Sequence, residues 1–342
     1  MRFVCGSCEA VVEAGPTTWR CPCGGPYSLS EDGSPELPAD VLARWSLGEG
    51  RTPIVDVVIG DRSVVAKLEF ASPTLSFKDR GAVMVVAAAV VLGARRLVAD
   101  SSGNAGTAIA AYAARAGLPC EVYVAATTSP AKLAQMRAHG AVVHAIAGTR
   151  EDVAAAAIEA VESTGAFYAS HVWNPWFFEG TKAYVHELHA QLGGKLPDAL
   201  VLPVGNGTLV LGALRGAREL LTAGQIDALP RLIAVQAAAS APIAKAFAAG
   251  ASAVAAVTNE GTVAEGIAIA APPRGSQILA AVRETRGDVV TVTDEEVLAA
   301  QDALARQGLY VEPTAAVPAA AVRQVDDGAT VAIPLSGAGL KG

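Results

Sequence analysis

The chain has 342 residues, of which 52% are hydrophobic and only 17% charged, and its formal net charge is −7. That length is enough for two domains with a large core, whereas the negative charge argues against a nucleic-acid partner. No apolar run reaches membrane-spanning length without a charge or glycine, and no apolar signal segment follows the first methionine, so we expect a cytoplasmic protein without a membrane partner.

Four cysteines lie within the first 23 residues, as Cys5-Gly-Ser-Cys8 and Cys21-Pro-Cys23. Thiolates two or three positions apart on tight turns can share one tetrahedral ion, so residues 1–29 resemble a small zinc ribbon. The second pair has one spacer residue where two are usual, and a metal-free ribbon therefore stays open beside a zinc-binding one. Disulfides are a poorer interpretation in a cytoplasmic chain.

The segment after the cysteines predicts a linker over residues 30–47, because its first part is rich in Pro, Glu, Asp, Gly and Ser. Two strands, 54–59 and 64–68, are predicted to form a hairpin around Gly60 and Asp61. An apolar helix through residues 81–89 follows.

From there, predicted strands and helices alternate. The strands are 97–99, 121–125 and 142–146, and each is followed by a helix, at 104–116, 130–139 and 151–163. A second series has strands at 199–202, 232–235, 289–292 and 330–333, with a helix after Gly207. Repeated βα units with short loops predict parallel, doubly wound sheets. Two such series predict two α/β domains that bind ligands at the carboxyl ends of their strands.

Lys78 stands at the start of the apolar helix, in Ser76-Phe77-Lys78-Asp79-Arg80-Gly81. A lysine charge is costly to bury unpaired, and burial lowers the pKa of the amine. Such an amine is a usable nucleophile or Schiff-base partner. The alternative is a lysine that extends from the helix end to solvent and pairs with Asp79.

Two glycine-rich turns each follow a predicted strand and begin a helix. The first, Ser101-Ser102-Gly103-Asn104-Ala105-Gly106, directs backbone N–H groups outward and suits a carboxylate. The second, Gly205-Asn206-Gly207-Thr208, lets the backbone approach a phosphate, to which Thr208 adds a hydroxyl. It lacks the features of a dinucleotide or P-loop site, which favours a small monophosphate. The alternative for the first turn is a serine or asparagine N-cap with glycines for the turn, and the alternative for the second is an ordinary strand-to-helix turn.

These three motifs and Ser336-Gly337-Ala338-Gly339, in this order, resemble the fold-type II pyridoxal-phosphate (PLP) enzymes, above all threonine synthases and then serine and threonine dehydratases. The resemblance runs nearly end to end. It implies two doubly wound three-layer α/β domains with a small cysteine-rich N-terminal ribbon. The large PLP-binding domain would comprise residues 48–90 and 175–342, the small substrate-loop domain residues 91–174. It also implies a homodimer and an amino-acid substrate.

The resemblance also implies roles for individual residues. Lys78 would bind PLP as a Schiff base and act as the catalytic base, and Asn104 would hydrogen-bond the cofactor's phenolic oxygen. Gly205, Asn206, Gly207 and Thr208 would hold the phosphate. Ser336 would face the pyridine nitrogen, and a hydroxyl there does not force that nitrogen to be protonated. The ring is then a weaker electron sink, which suits elimination or replacement at the β or γ carbon.

The implied substrate-binding residues are Ser101, Ser102, Gly103, Ala105, His171 and Phe177. Threonine synthases carry Asn, Ser and Arg where this chain has His171, Val172 and Phe177, and there they hold the phosphate of O-phosphohomoserine. A phenyl ring cannot replace an arginine fork at a phosphate dianion, although a protonated His171 would recover part of the affinity. The alternative is that the aromatic residues from Trp173 to Phe178 only pack in a core.

We therefore predict a PLP-dependent lyase or synthase, similar to threonine synthase, that acts on a non-phosphorylated or more apolar amino acid. A serine/threonine ammonia-lyase is the first alternative. A non-catalytic protein with the same fold, serving as a binding module, is an alternative of another class. The intact Lys78, Asn104 and Ser336 argue against that last interpretation.

Overall fold

The computed structural model of the protein describes residues 1–30, 37 and 39–341. Most of the predicted linker's polar part, residues 31–36 and 38, lies outside the described residues. The strands are Arg2–Cys5 (β1), Val11–Glu13 (β2), Tyr27–Leu29 (β3), Ile54–Ile59 (β4), Arg62–Lys67 (β5), Leu97–Ala99 (β6), Cys120–Ala125 (β7), Val142–Ile146 (β8), Phe167–Tyr168 (β9), Ala199–Pro203 (β10), Arg231–Ala237 (β11), Asp288–Val292 (β12) and Val331–Pro334 (β13).

The α-helices are Ala39–Trp45 (α1), Lys78–Val91 (α2), Asn104–Ala116 (α3), Pro130–Ala138 (α4), Arg150–Thr164 (α5), Trp176–Thr181 (α6), Ala183–Gln191 (α7), Thr208–Thr222 (α8), Pro242–Ala248 (α9), Gly275–Glu284 (α10), Asp294–Ala305 (α11) and Pro313–Ala321 (α12). In the described part of the chain, none of these helices combines the length and hydrophobicity needed to cross a membrane.

The predicted alternation of strands and helices is confirmed. Strands β4, β6 and β8 and helix α3 have the predicted bounds. Helix α2 extends three residues before and two after the predicted stretch 81–89, and the other predicted elements differ by one or two residues at their ends. The sequence did not indicate the ribbon strands, β9, or helices α6, α7 and α9 to α12. Helix α1 lies within the predicted linker.

The chain forms two compact units. The first comprises Met1–Glu49 and Lys78–Gly180, and the second Gly50–Phe77 and Thr181–Gly342. The predicted division instead placed residues 48–49, 78–90 and 175–180 in the large domain. Helix α2 belongs to the first unit because its alanine and valine side chains are buried against α3, which is equally rich in alanine. Which unit holds a cofactor stays a prediction.

The first unit contains a parallel sheet in the order β8-β7-β6-β9. All three residues of β6 are buried, as expected for a central parallel strand covered on both faces. The N-terminal ribbon is a separate antiparallel sheet in the order β2-β1-β3. This arrangement leaves the turn at residues 101–104 at the carboxyl end of β6.

The second unit contains a six-stranded sheet in the order β12-β11-β10-β13-β5-β4. Its neighbours pair in parallel except β4 and β5, which form the predicted hairpin with Ile54 opposite Lys67 and Ile59 opposite Arg62. Strand β10 is buried along its whole length. Because β10 and β13 are adjacent and parallel, the turns that follow them leave the same edge of the sheet.

Candidate active site

Lys78 begins helix α2 in the first unit. Its Nζ lies 5.9 Å from the centroid of the Phe177 ring. A Cβ at Gly81 would overlap that ring, and a Cβ at Gly180 would overlap the carbonyl oxygen of Arg80. These two glycines therefore let α2 and α6 approach closely and bring Phe177 beside the lysine. The sequence motif contained Gly81, but only its contact explains why a glycine is needed there.

The turn at residues 101–105 follows β6 and begins α3. Gly103 is the N-cap residue, and no side chain caps the helix, so the predicted alternative of a serine or asparagine cap is wrong here. A Cβ at Gly106 would overlap the carbonyl oxygen of Ser101, which makes this glycine a requirement of the turn. The backbone at Gly103 is exposed. Helix N-terminal N–H groups without a side-chain cap suit a bound carboxylate.

An ion pair lies immediately before this turn. Asp100 is 4% exposed and its Oδ2 accepts a hydrogen bond of 2.6 Å from Nη2 of Arg150, whose side chain is half-exposed. The sequence does not indicate this pair, because the two residues lie 50 positions apart, one after a strand and one at the start of a helix. The arginine therefore offsets the aspartate charge beside the turn that is predicted to bind a carboxylate.

His171 and Phe177 lie together in the first unit, with ring centroids 5.9 Å apart in an edge-on arrangement. Burial lowers the pKa of His171 well below its ordinary value of 6.5, and the charges of Lys78 and Arg150 lower it further. The histidine is therefore neutral at neutral pH and cannot supply the cation considered from the sequence. Phe177 is 0% exposed, and Val172 is also buried.

The aromatic cluster is mostly core. Trp176, Phe177 and Phe178 are buried, and the first two belong to the large apolar cluster around α2 and α3. Trp173 is only half-buried and belongs to a smaller cluster beneath β6 and β9. The alternative that these aromatic residues only pack in a core therefore holds for helix α6. His171 and Trp173 lie before that helix.

The second glycine-rich turn lies between β10 and α8 in the second unit. Gly207 is the N-cap of α8 with φ +82°, and no side chain caps the helix. A Cβ at Gly205 would lie 2.9 Å from Cα of Ile267, a backbone approach that only glycine permits. An uncapped helix start with close backbone packing fits a phosphate group.

Ser336 follows β13 in the same unit and is 1% exposed. Its Oγ has no hydrogen-bond partner among the described residues, and the same holds for Oγ of Ser76. The backbone N–H of Phe77 donates to the carbonyl oxygen of Ser336 at 3.0 Å, which fixes this strand end. Buried hydroxyls are usually satisfied, so the unsatisfied Ser336 hydroxyl and the turn at Gly205 to Thr208 fit PLP, as the sequence predicts.

A buried polar network supports this edge of the second unit. Lys67, at the end of β5, is 0% exposed. Its Nζ donates to the carbonyl oxygen of Thr52 and to Oε1 of Gln191, and pairs with Glu187, all at 2.9 Å. The Thr52 hydroxyl in turn donates to Glu69 at 2.7 Å. Charged residues in an otherwise apolar strand were the signal that could have indicated such a network.

The four ribbon cysteines converge in the structure. Their sulfur atoms all lie within 4.8 Å of one another. The Sγ atoms of Cys5 and Cys23 are 3.5 Å apart, and those of Cys8 and Cys21 are 3.6 Å apart. Four thiolates at about 2.3 Å from one tetrahedral ion would be separated by about 3.8 Å. The short spacer in the second pair therefore does not prevent a tetrahedral set.

Known proteins resemble the chain over most of its length. A family model described as pyridoxal-phosphate dependent enzyme matches residues 45–337. Threonine synthase from Methanosarcina acetivorans is 38% identical over 88% of this chain and 72% of that protein. Threonine synthase from Mycobacterium bovis is 32% identical over 95% and 91%. The crystal structure of the T.th. threonine deaminase has a TM-score of 0.75 and 28% identity, covering 87% of this chain and 96% of that one.

Proposed function

Since the chain belongs to the pyridoxal-phosphate dependent enzymes and has threonine synthases among its relatives, we propose that it catalyses β- or γ-elimination or replacement on an amino acid. The observation that carries this proposal is the buried Ser336 hydroxyl, which has no hydrogen-bond partner within the described part of the chain. Ser336 follows β13, the strand next to β10, which leads into the turn from Gly205 to Thr208. A neutral hydroxyl partner for the cofactor's ring nitrogen favours this chemistry over transamination.

PLP, when bound, withdraws electrons from the α carbon of an amino acid and so acidifies its α proton. We assign Lys78 to hold the cofactor and to move that proton. The turn from Ser101 to Asn104 would hold the α-carboxylate on uncapped N–H groups, and Asn104 would bind the cofactor's phenolic oxygen. The turn from Gly205 to Thr208 would hold the cofactor's phosphate.

The distal group of the substrate would be uncharged or apolar. Val172 and Phe177 are buried, and His171 is neutral, so none of the three supplies a cation to a phosphate. The charges that reach His171 are those of Lys78, which we assign to the cofactor, and of Arg150, whose guanidinium is paired with Asp100. A phosphate dianion would therefore meet a pair of offset charges instead of an arginine fork.

Steady-state kinetics with O-phosphohomoserine, serine, threonine and homoserine esters test the proposal. We expect product from an unphosphorylated amino acid. For O-phosphohomoserine we expect a kcat/KM lower by orders of magnitude, at about tenfold for each 1.4 kcal/mol of lost transition-state binding. Efficient threonine formation from O-phosphohomoserine would contradict the proposed distal group and make the protein an ordinary threonine synthase with a rebuilt phosphate pocket.

Serine/threonine ammonia-lyase is the second candidate. Ala105 follows the loop asparagine, as in the serine dehydratases that the motif resembles, and a threonine deaminase is among the similar structures. Release of a 2-oxo acid and ammonia from serine or threonine would identify this activity. Bound cofactor without turnover of any of these amino acids would instead favour the non-catalytic alternative.

We further propose that Cys5, Cys8, Cys21 and Cys23 hold one zinc ion, which the spacing of their sulfur atoms supports. Metal analysis of protein purified without chelators should give about one zinc per chain. A ratio far below one would leave a metal-free ribbon. We also expect a cytoplasmic homodimer, for which sedimentation equilibrium gives the test of oligomeric state.

A further inference from the structure

Trp19 connects the cysteine ribbon to the segment that contains His171. Its ring lies edge-on to Tyr168, with centroids 5.1 Å apart and an interplanar angle of 88°. It is also edge-on to Trp173, at 5.5 Å and 90°. The guanidinium of Arg20 lies 4.6 Å from the Trp19 ring centroid and 5.9 Å from that of Trp173. Edge-to-face pairs of this kind are favourable and fix the relative orientation of the rings.

The two contacted residues flank the predicted distal substrate position. Tyr168 ends β9, and Trp173 follows His171 and Val172. From Tyr168 to Asn174 the chain forms a compact turn, in which the N–H of Asn174 donates to the carbonyl oxygen of Ser170 at 3.0 Å. The Asn174 side chain donates to the carbonyl oxygen of Tyr168 at 3.4 Å. A displacement of either aromatic ring would therefore move the turn that carries His171.

Tyr168 also connects to the predicted carboxylate turn. It pairs with Val98 of β6, two residues before Asp100 and three before Ser101. Burial raises the pKa of the Tyr168 hydroxyl, and the Asp100 carboxylate raises it further. The position of Tyr168 therefore affects both predicted substrate-binding segments, which are residues 101–104 and the turn that carries His171.

We propose that Trp19 is a positioning residue for substrate binding, acting through Tyr168 and Trp173. The assignment rests on the proposed function only in that residues 101–104 and His171 face the amino acid. The ribbon also packs into the main apolar cluster through Phe3 and Tyr27, so truncation of Trp19 leaves it attached. The expected effect is loosening of the two substrate segments and not loss of the ribbon.

The holoprotein carrying Trp19→Ala tests the proposal, with Trp45→Ala as the matched control. Trp45 lies in α1 of the same unit, is also half-buried, and has an arginine guanidinium 4.8 Å from its ring centroid. Hydrogen exchange would be measured for residues 99–104 and 168–174. L-serine would be titrated against the visible spectrum of the bound cofactor.

We expect Trp19→Ala to raise exchange in both segments and to raise the L-serine concentration at half-saturation about tenfold, or about 1.4 kcal/mol. Trp45→Ala should leave both quantities near wild type, and Trp19→Phe, which keeps an aromatic edge, should be intermediate. The proposal would be overturned if hydrogen exchange in Trp19→Ala were as slow as in wild type, or if the two alanine variants had equal effects. If Trp19→Ala does not fold, Trp19→Phe is compared with Trp45→Ala instead, by hydrogen exchange and by the L-serine concentration at half-saturation. Absence of any spectral response in wild type would count against the proposed function, and hydrogen exchange would still decide the role of Trp19.

Discussion

Replacing Phe177 by arginine restores the residue type that threonine synthases use for phosphate, yet we expect the variant to be destabilised rather than rescued. Phe177 is 0% exposed and its ring occupies the space beside Gly81. Truncating a buried phenylalanine costs about 3–5 kcal/mol, of which the arginine stem recovers a part. An unpaired buried charge adds about 3–5 kcal/mol. The new guanidinium would also stand near Lys78, whose Nζ is 5.9 Å from the ring it replaces.

The total destabilisation expected for Phe177→Arg is on the order of 5 kcal/mol. This approaches the whole free energy of unfolding of many domains, which is about 5–15 kcal/mol. Phe177→Leu is the matched control, because it shortens the side chain without adding charge and should cost on the order of 1 kcal/mol. Urea midpoints followed by tryptophan fluorescence compare the two variants. An arginine variant as stable as the leucine variant, with new turnover of O-phosphohomoserine, would refute the argument and show that this side chain reaches the substrate.

Three further predictions concern single residues. Lys78→Ala should lose the visible absorbance of bound cofactor and about 100- to 10,000-fold in turnover, since a positioned general base contributes about 10²–10⁴-fold. Normal turnover in this variant would contradict the proposed chemistry. Gly106→Ala should destabilise the protein by about 1–3 kcal/mol in thermal melts, because the added Cβ would overlap the carbonyl oxygen of Ser101. Gly103→Ala is the control, since a Cβ there meets no atom within 4 Å. Below pH 6.5 the unfolded chain binds a proton at His171, whereas the folded protein does not, because burial lowers the pKa of this histidine. The free energy of unfolding should therefore be unaffected by His171 above pH 6.5 and should fall below it, by up to about 1.4 kcal/mol per pH unit. Urea midpoints at two pH values in wild type and His171→Gln measure that contribution, and an equal pH dependence in both proteins would show that the histidine is not its source.

The local pattern of the chain was enough to predict most of the βα framework. Strand β6 is a short apolar run bounded by polar residues, and α3 follows a serine- and glycine-rich turn, so both have the bounds expected from sequence. These features depend on neighbouring residues and on turn chemistry, which the sequence contains directly. For the same reason, the glycine-rich turns could be placed correctly between strands and helices.

Contacts between residues distant in the chain were not predictable in this way. The sequence could not show that Lys67 pairs with Glu187, that Arg150 pairs with Asp100, or that Trp19 packs on Tyr168. Each contact depends on which elements the fold makes neighbours, and no periodicity or spacing contains that information. The same limit explains why helices α9 to α12, whose bounds depend on packing against the second sheet, were missed.

The sequence by itself determined the βα order, the four cysteines and the motifs that carry the chemistry, because each is written in a short continuous stretch. The tertiary structure alone decided what surrounds these stretches. It placed α2 in the first unit, buried Phe177 against Gly81, kept His171 neutral, and left the Ser336 hydroxyl without a partner among the described residues. Burial and charge at a side chain are sums over neighbours from several elements, so they exist only once those elements have packed.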